Sequence, residues 1–180
     1  DFVEYIYPAS MHATLLFFTE KGKCYWKRVF EIPEGTRNSK GRAIQNLLNI
    51  DPDDRVNAFI RVKKLTTDTE FVNSHYLLFC TKNGVIKKTL LAAYSRPRQN
   101  GVIAISLREG DGLIQVRMTN GNNEVLIANK NGRAIRFHES KVRVMGRTAT
   151  GVRGMTLEDN GDCIVGMICI KNPEKESILV

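Results

Sequence analysis

The side chains best placed to do chemistry in this chain are its cations, and they recur at one kind of position. Arg37 and Lys40 precede Gly41, Arg96 and Arg98 precede Gly101, and Arg143 and Arg147 precede Gly151; Arg42 and Arg153 follow closely behind. Strand-like segments beside these loops add Lys21, Lys23, Lys27 and Arg28, then Lys82, Lys87 and Lys88, then Lys130, Arg133 and Arg136. The chemistry such a pattern offers is the holding of a polyanion. Duplex DNA carries about one negative charge per 1.7 Å, and each Lys or Arg contact with phosphate releases condensed counterions. The candidate contact set is Arg37, Lys40, Arg42, Lys87, Lys88, Arg96, Arg98, Arg133, Arg136, Arg143, Arg147 and Arg153. The whole chain agrees in sign, with 27 Lys plus Arg against 19 Asp plus Glu, a net charge of +8 and a pI near 9.5. The competing reading is that these cations merely solvate the rim of a sheet.

Other chemistries find little support. There are three histidines, His12, His75 and His138, and the first and second precede corresponding strand-like runs, which suits structural roles. No G-x-S-x-G elbow, Walker A loop, G-x-G-x-x-G or H-E-x-x-H is present. The acid pairs Asp53-Asp54 and Glu158-Asp159 recur at one turn per repeat, which favours solvated turns over a metal or acid–base site. Cys24, Cys80, Cys163 and Cys169 form no C-x-x-C pair and lie at no zinc-finger distance from a histidine. Cys80, inside Leu77-Leu78-Phe79-Cys80, reads as a small buried hydrophobe, and such scattered thiols fit a reduced cytoplasm. Tyr25, Trp26, Phe30, Phe59, Phe79 and Phe137 fall within strand patterns and read as core, so a duplex is the expected partner in preference to single strands.

The elements that must carry the cations repeat. Residues 15–26, 76–88 and 124–136 each give an apolar β-rich run, a Lys-Gly or Asn-Gly turn, and a second β-rich run. Asn-Gly between two such runs signals a hairpin, because both residues tolerate the positive φ a type I′ turn needs. The loop glycines Gly41, Gly101 and Gly151 lie 19, 17 and 19 residues past the turn glycines Gly22, Gly84 and Gly132. An apolar stretch follows (Ala43–Ile50, Val102–Leu107 or Val152–Leu157), then an acidic turn, then a closing strand (Val56–Val62, Leu113–Met118 or Ile164–Ile170). Each unit thus reads as four strands, and the fold as all-β with propeller-like blades. Ala43–Leu48 is the one segment expected to make a helical turn. Residues 1–14 are read as closing a preceding blade, with a strand at Phe2–Tyr7. Residues 15–65, 76–123 and 124–173 are three blade repeats, and 174–180 begin another with a strand at Ser177–Val180. An open arc exposes unpaired strand edges, so a three-blade piece is expected to be less stable or more prone to associate than a closed ring.

No apolar run reaches the roughly 18 residues of a membrane-spanning helix, no signal peptide pattern opens the chain, and no membrane partner is expected.

Several stretches, namely Asn83–Thr89, Tyr94–Gly101, Phe17–Trp26, Glu31–Gly35 and above all Val144–Gly154, resemble the C-terminal domain of the gyrase A protein of DNA gyrase. The resemblance spans nearly the entire chain. It implies a β-pinwheel of six blades, about three of them here, that bends duplex DNA around a basic outer rim. It implies as partners the remainder of gyrase A and, through the holoenzyme, gyrase B, in a bacterial cytoplasm at the nucleoid. ATP and Mg would act elsewhere in that complex, and this segment would need no cofactor. The family's glutamine-arginine-glycine box is not matched; Ser39–Arg42 echoes it, so weak binding is expected. No breakage-domain tyrosine is identified, so none of Tyr5, Tyr7, Tyr25, Tyr76 or Tyr94 is expected to be catalytic. The alternatives are the corresponding C-terminal domain of topoisomerase IV or a propeller serving protein–protein contacts.

Overall fold

The computed structural model describes residue 3, residues 5–158 and residues 160–178. Three hairpins organise it. β1 (Thr14–Thr19) pairs with β2 (Lys23–Arg28), and β3 (Val56–Val62) lies antiparallel on the other side of β1. A short helix, α1 (Thr69–Ser74), leads to the second hairpin of β4 (Tyr76–Thr81) and β5 (Val85–Leu90). Then come β6 (Val102–Ile103) and β7 (Leu113–Thr119). The third hairpin joins β8 (Glu124–Asn129) to β9 (Ala134–His138), followed by β10 (Val152–Arg153) and β11 (Ile164–Ile170). Each hairpin turns on a glycine in the left-handed region, Gly22, Gly84 and Gly132.

The sheets do not coincide with the sequence repeats. Their orders are β3-β1-β2-β6, β7-β4-β5-β10 and β11-β8-β9. The two-residue strand β6 leaves its own repeat to pair with β2 of the one before, and β10 does the same to β5. Two of the sheets thus have the four strands expected of a blade, with the fourth supplied by the following repeat, and the third has three. Periodicity marks a strand but not its partner. The equivalent stretch of the first repeat makes a 3-10 turn at Ile44–Asn46 instead, and its Leu48 and Ile50 pack over Phe17 and Tyr25.

Successive sheets stack face to face. Leu16 and Phe18 of β1 meet Leu77 and Phe79 of β4, with Ala104 and Ile105 filling the layer. The alternate β4 residues Leu78 and Cys80 meet Val125 and Ile127 of β8. β4 therefore buries both faces, which is why it reads as an unbroken apolar run. β7 packs against β3 and β11, so these three strands form one side of the stack. β6 and β10 lie at the opposite edge of their sheets, and that edge is the perimeter.

Two further expectations change. Helix is not confined to Ala43–Leu48: 3-10 turns follow all three hairpins, at Val29–Glu31, Leu91–Tyr94 and Glu139–Lys141. α1 is also present. Asp68 caps it by accepting from the Phe71 amide at 3.0 Å, but six residues are too few to print a helical period. At the chain ends, Val3 and Tyr5–Tyr7 form no strand; Tyr5 and Tyr7 instead set their rings 5.7 and 5.8 Å from Phe59. Ser177 and Ile178 form no strand either, and Phe2, Glu4, Leu179 and Val180 lie outside the described residues.

Candidate nucleic-acid interface

Each sheet has two kinds of cation, and hydrogen bonding separates them. At the hairpin-turn end the acidic turn folds beside the turn lysines: Lys21 pairs with Asp53, and Lys23 with Asp51 at 3.0 Å. The hydrogen bond and charge of Asp53 raise the Lys21 value, and those of Lys21 lower the Asp53 value. Asp54 accepts from the Lys21 and Arg55 amides and so shapes the turn. In the third repeat Arg133 pairs with Glu158, and on the same hairpin Arg136 pairs with Glu124 at 3.2 Å. The acidic turns thus neutralise turn-end cations, and Arg133 and Arg136 are less free than their types suggest. Among the described residues no cluster of His, Cys, Asp and Glu has metal-site geometry; Asp159 lies outside them.

On the perimeter the balance is different. Arg37, Lys40, Arg42, Arg96, Arg98, Arg143 and Arg153 are all exposed, and among the described residues none is in an ion pair. Six of the seven lie on segments that cross, or correspond to those that cross, from one repeat to the sheet before it; Arg153 is on β10 itself. Trp26 on β2 donates from Nε1 to the Tyr94 carbonyl at 2.9 Å, which seats the loop of Arg96 and Arg98 against the first sheet. Arg98 there shares a groove of about 480 Å³ with Lys27, Arg28, Glu31, Asn49 and Gln99. Asn49 reaches Asn100 at 3.5 Å, linking the segment after Arg42 to this loop.

The crossing loops also meet one another. Arg147, half-buried, donates to the Ile103 carbonyl on β6. Ser106 donates from its amide to Ala149 and from its hydroxyl to the Thr148 carbonyl at 2.7 Å. The loop before β10 therefore abuts the strand that completes the first sheet.

Two residues in the candidate set are removed from it. Lys87 is fully buried and Lys88 nearly so. Lys87 donates to the carbonyls of Ala104 and Arg147. Lys88 pairs with the buried Glu139 at 3.2 Å and lies 4.5 Å from the centre of the Tyr76 ring. Neither can reach a phosphate. Consecutive strand residues face opposite ways, and this sheet is covered on both faces, so both lysines point inward. Lys27 and Arg28, outside the contact set expected from sequence, line the perimeter groove instead.

The family model for the DNA gyrase C-terminal domain, a β-propeller, matches residues 13–63, 75–120 and 123–171, one segment for each hairpin and its closing strand. The chain belongs to the DNA gyrase C-terminal domain family. Among its relatives is the gyrase A protein of Halalkalibacterium halodurans, 47% identical over 156 residues, covering 87% of this chain and 18% of that protein. The gyrase A protein of Staphylococcus epidermidis is 40% identical over 180 residues, covering 100% of this chain and 20% of its own length. The chain thus spans about a fifth of the curated relatives it matches. Among solved structures, the C-terminal domain of DNA topoisomerase IV superposes with a TM-score of 0.78 at 34% identity, over 90% of this chain and 48% of that one. A DNA gyrase A C-terminal domain superposes at 0.71 and 26% identity, over 91% and 50%. The gyrase-family fold expected from Val144–Gly154 and its companion motifs is what the chain adopts. No helix among the described residues is long and apolar enough to cross a membrane.

Proposed function

We propose that this chain is a non-catalytic segment of a gyrase A protein that binds duplex DNA along its perimeter and bends it. The observation carrying this reading is the set of exposed, unpaired arginines on the crossing loops, while the acidic turns sit at the hairpin-turn end and Glu31 is the one acid lining the groove of Arg98. Phosphates laid along the perimeter would meet Arg96 and Arg98, then Arg143, Arg147 and Arg153, with Arg37, Lys40 and Arg42 adding to the set. Contacts of this kind carry no base code, so sequence preference would follow DNA deformability. Bending a 20–30 bp site costs on the order of 1–6 kcal/mol, which several phosphate contacts can offset. The remainder of gyrase A would carry strand breakage, and gyrase B would supply ATP-driven passage toward negative supercoiling in the bacterial cytoplasm. This segment itself would hold neither ATP nor Mg.

Topoisomerase IV is the second reading, favoured by the higher TM-score of its domain; the 47% and 40% identities to gyrase A proteins weigh more. Bending is tested by ligase-driven cyclisation of a duplex about one persistence length long, roughly 150 bp. Faster ring closure with saturating chain supports the proposal. Unchanged closure, with binding shown in parallel, would leave a binder that does not bend.

A further inference from the structure

Lys87 is a buried cation placed where segments bound for two different sheets meet. Its ammonium lies 4.7 Å from the centre of the Phe79 ring and donates to three oxygens: Ala104 O, Arg147 O and, at 3.4 Å, Tyr94 Oη. The Tyr94 hydroxyl donates in turn to Ala104 O at 2.7 Å. Ala104 directly follows β6, which completes the first sheet, and Arg147 lies mid-loop before β10, which completes the second. Protonated, the amine offers three N–H donors to these three acceptors, and neutral it still offers two for the two carbonyls; Arg147 adds a second link between the same segments by donating to Ile103 O.

We propose that Lys87 is a positioning residue for the perimeter: it ties the crossing segment of its own repeat to the crossing loop of the next, and so fixes where Arg147 and its neighbours present their charge. The consequence for DNA rests on the function proposed above; the tie itself does not.

A proton should read the tie. Burial, and after it the Arg147 charge, pull Lys87 down to about 7. The other titratable groups facing this spot are Tyr94 and Cys24, and burial holds the hydroxyl and the thiol so high that both stay neutral. Among the described residues no carboxylate pairs with Lys87. Lifting the loop lets water reach the amine, whose proton affinity then returns toward its ordinary 10.5. Opening therefore takes up a proton between about pH 7 and 10.5, and higher pH closes the loop.

Hydrogen exchange of the Met145 amide, which donates to Lys88 O at 2.7 Å, reports the opening. After correction for intrinsic exchange, wild-type protection should rise with pH above about 7, approaching tenfold per unit. Lys87→Met should lower protection by about tenfold at neutral pH and flatten the slope. A flat wild-type profile, or an unchanged slope in Lys87→Met, overturns the tie. Should that variant not fold, the Cε chemical shift of Lys87 in the wild type decides: a midpoint near 7 supports the tie and one near 10.5 overturns it. With duplex present, Lys87→Met should bind several-fold more weakly, whereas Lys21→Met, which removes an exposed charge, should change little. Wild-type affinity in Lys87→Met overturns the positioning role. Absence of duplex binding by the wild type would instead contradict the proposed function, with the exchange profile still deciding the tie.

Discussion

The carbonyl of Gly84 accepts the Met155 amide at 3.2 Å, and a Cβ on Gly84 would stand 2.4 Å from the Met155 carbonyl oxygen. Gly22 repeats the arrangement one sheet earlier, with a Cβ 2.7 Å from the Ile105 carbonyl and its own carbonyl bound by Ala104 and Ile105. Each of these hairpin turns is thus the seat for the segment arriving from the next repeat. Gly132, the third turn glycine, has the same positive φ but nothing within 4 Å.

That difference orders three substitutions. Gly132→Ala should lose only the left-handed backbone cost, about 1–2 kcal/mol. Gly84→Ala and Gly22→Ala must also displace an arriving backbone, and should lose about 3 kcal/mol or more. Urea denaturation measures all three, and equal losses would contradict the role given to the turns.

The Lys88–Glu139 pair should behave as a buried structural ion pair. Glu139 also accepts from the Thr119 hydroxyl and the Asn123 amide, each at 2.8 Å. Lys88→Met leaves that carboxylate short of a cation and should cost about 3–5 kcal/mol, part of which Glu139→Gln in the same chain restores. At temperatures where Lys88→Met stays folded, its duplex affinity should match the wild type, because Lys88 is almost wholly buried and its charge is held by Glu139.

Global stability should rise with pH across the window set by Lys87. Unfolded, the amine holds its proton up to about 10.5; folded, it releases it at about 7. Between those values the unfolded chain binds one more proton, so stability increases by up to about 1.4 kcal/mol per pH unit. Denaturation midpoints collected across this range should lose that slope in Lys87→Met. Arg147→Met removes the repelling charge, raises the Lys87 value and should move the onset of the slope upward.

The repeats, the hairpins and the basic loops were legible because each carries a local signal: continuous apolar β-rich runs, Asn-Gly or Lys-Gly turns, cations at a fixed offset. Which sheet β6 and β10 join was not, since two residues of backbone pairing leave no side-chain period. Lys87 and Lys88 illustrate the limit for the site. Cations beside a hairpin suggest solvent, yet the unbroken run Leu77–Cys80 already implied a sheet covered on both faces, where neighbouring lysines must turn inward. The pairing of Arg133 with Glu158 depends on an acidic turn 25 residues away and was beyond any local pattern.

Whether unpaired arginines on the crossing loops hold duplex phosphates is tested most directly by duplex affinity over a salt series. Wild type should be compared with the combined reversal of Arg96, Arg98, Arg143 and Arg153 to Glu, and with Arg133→Glu as the turn-end control. A linear fall of log K with log salt is predicted, shallower by about 0.9 for each phosphate contact removed by the combined reversal, similarly on unrelated sequences. The control should lie near wild type. Affinity absent at low salt, insensitive to salt, or diminished as much per residue by Arg133→Glu as by the perimeter reversals would contradict that role for the crossing-loop arginines.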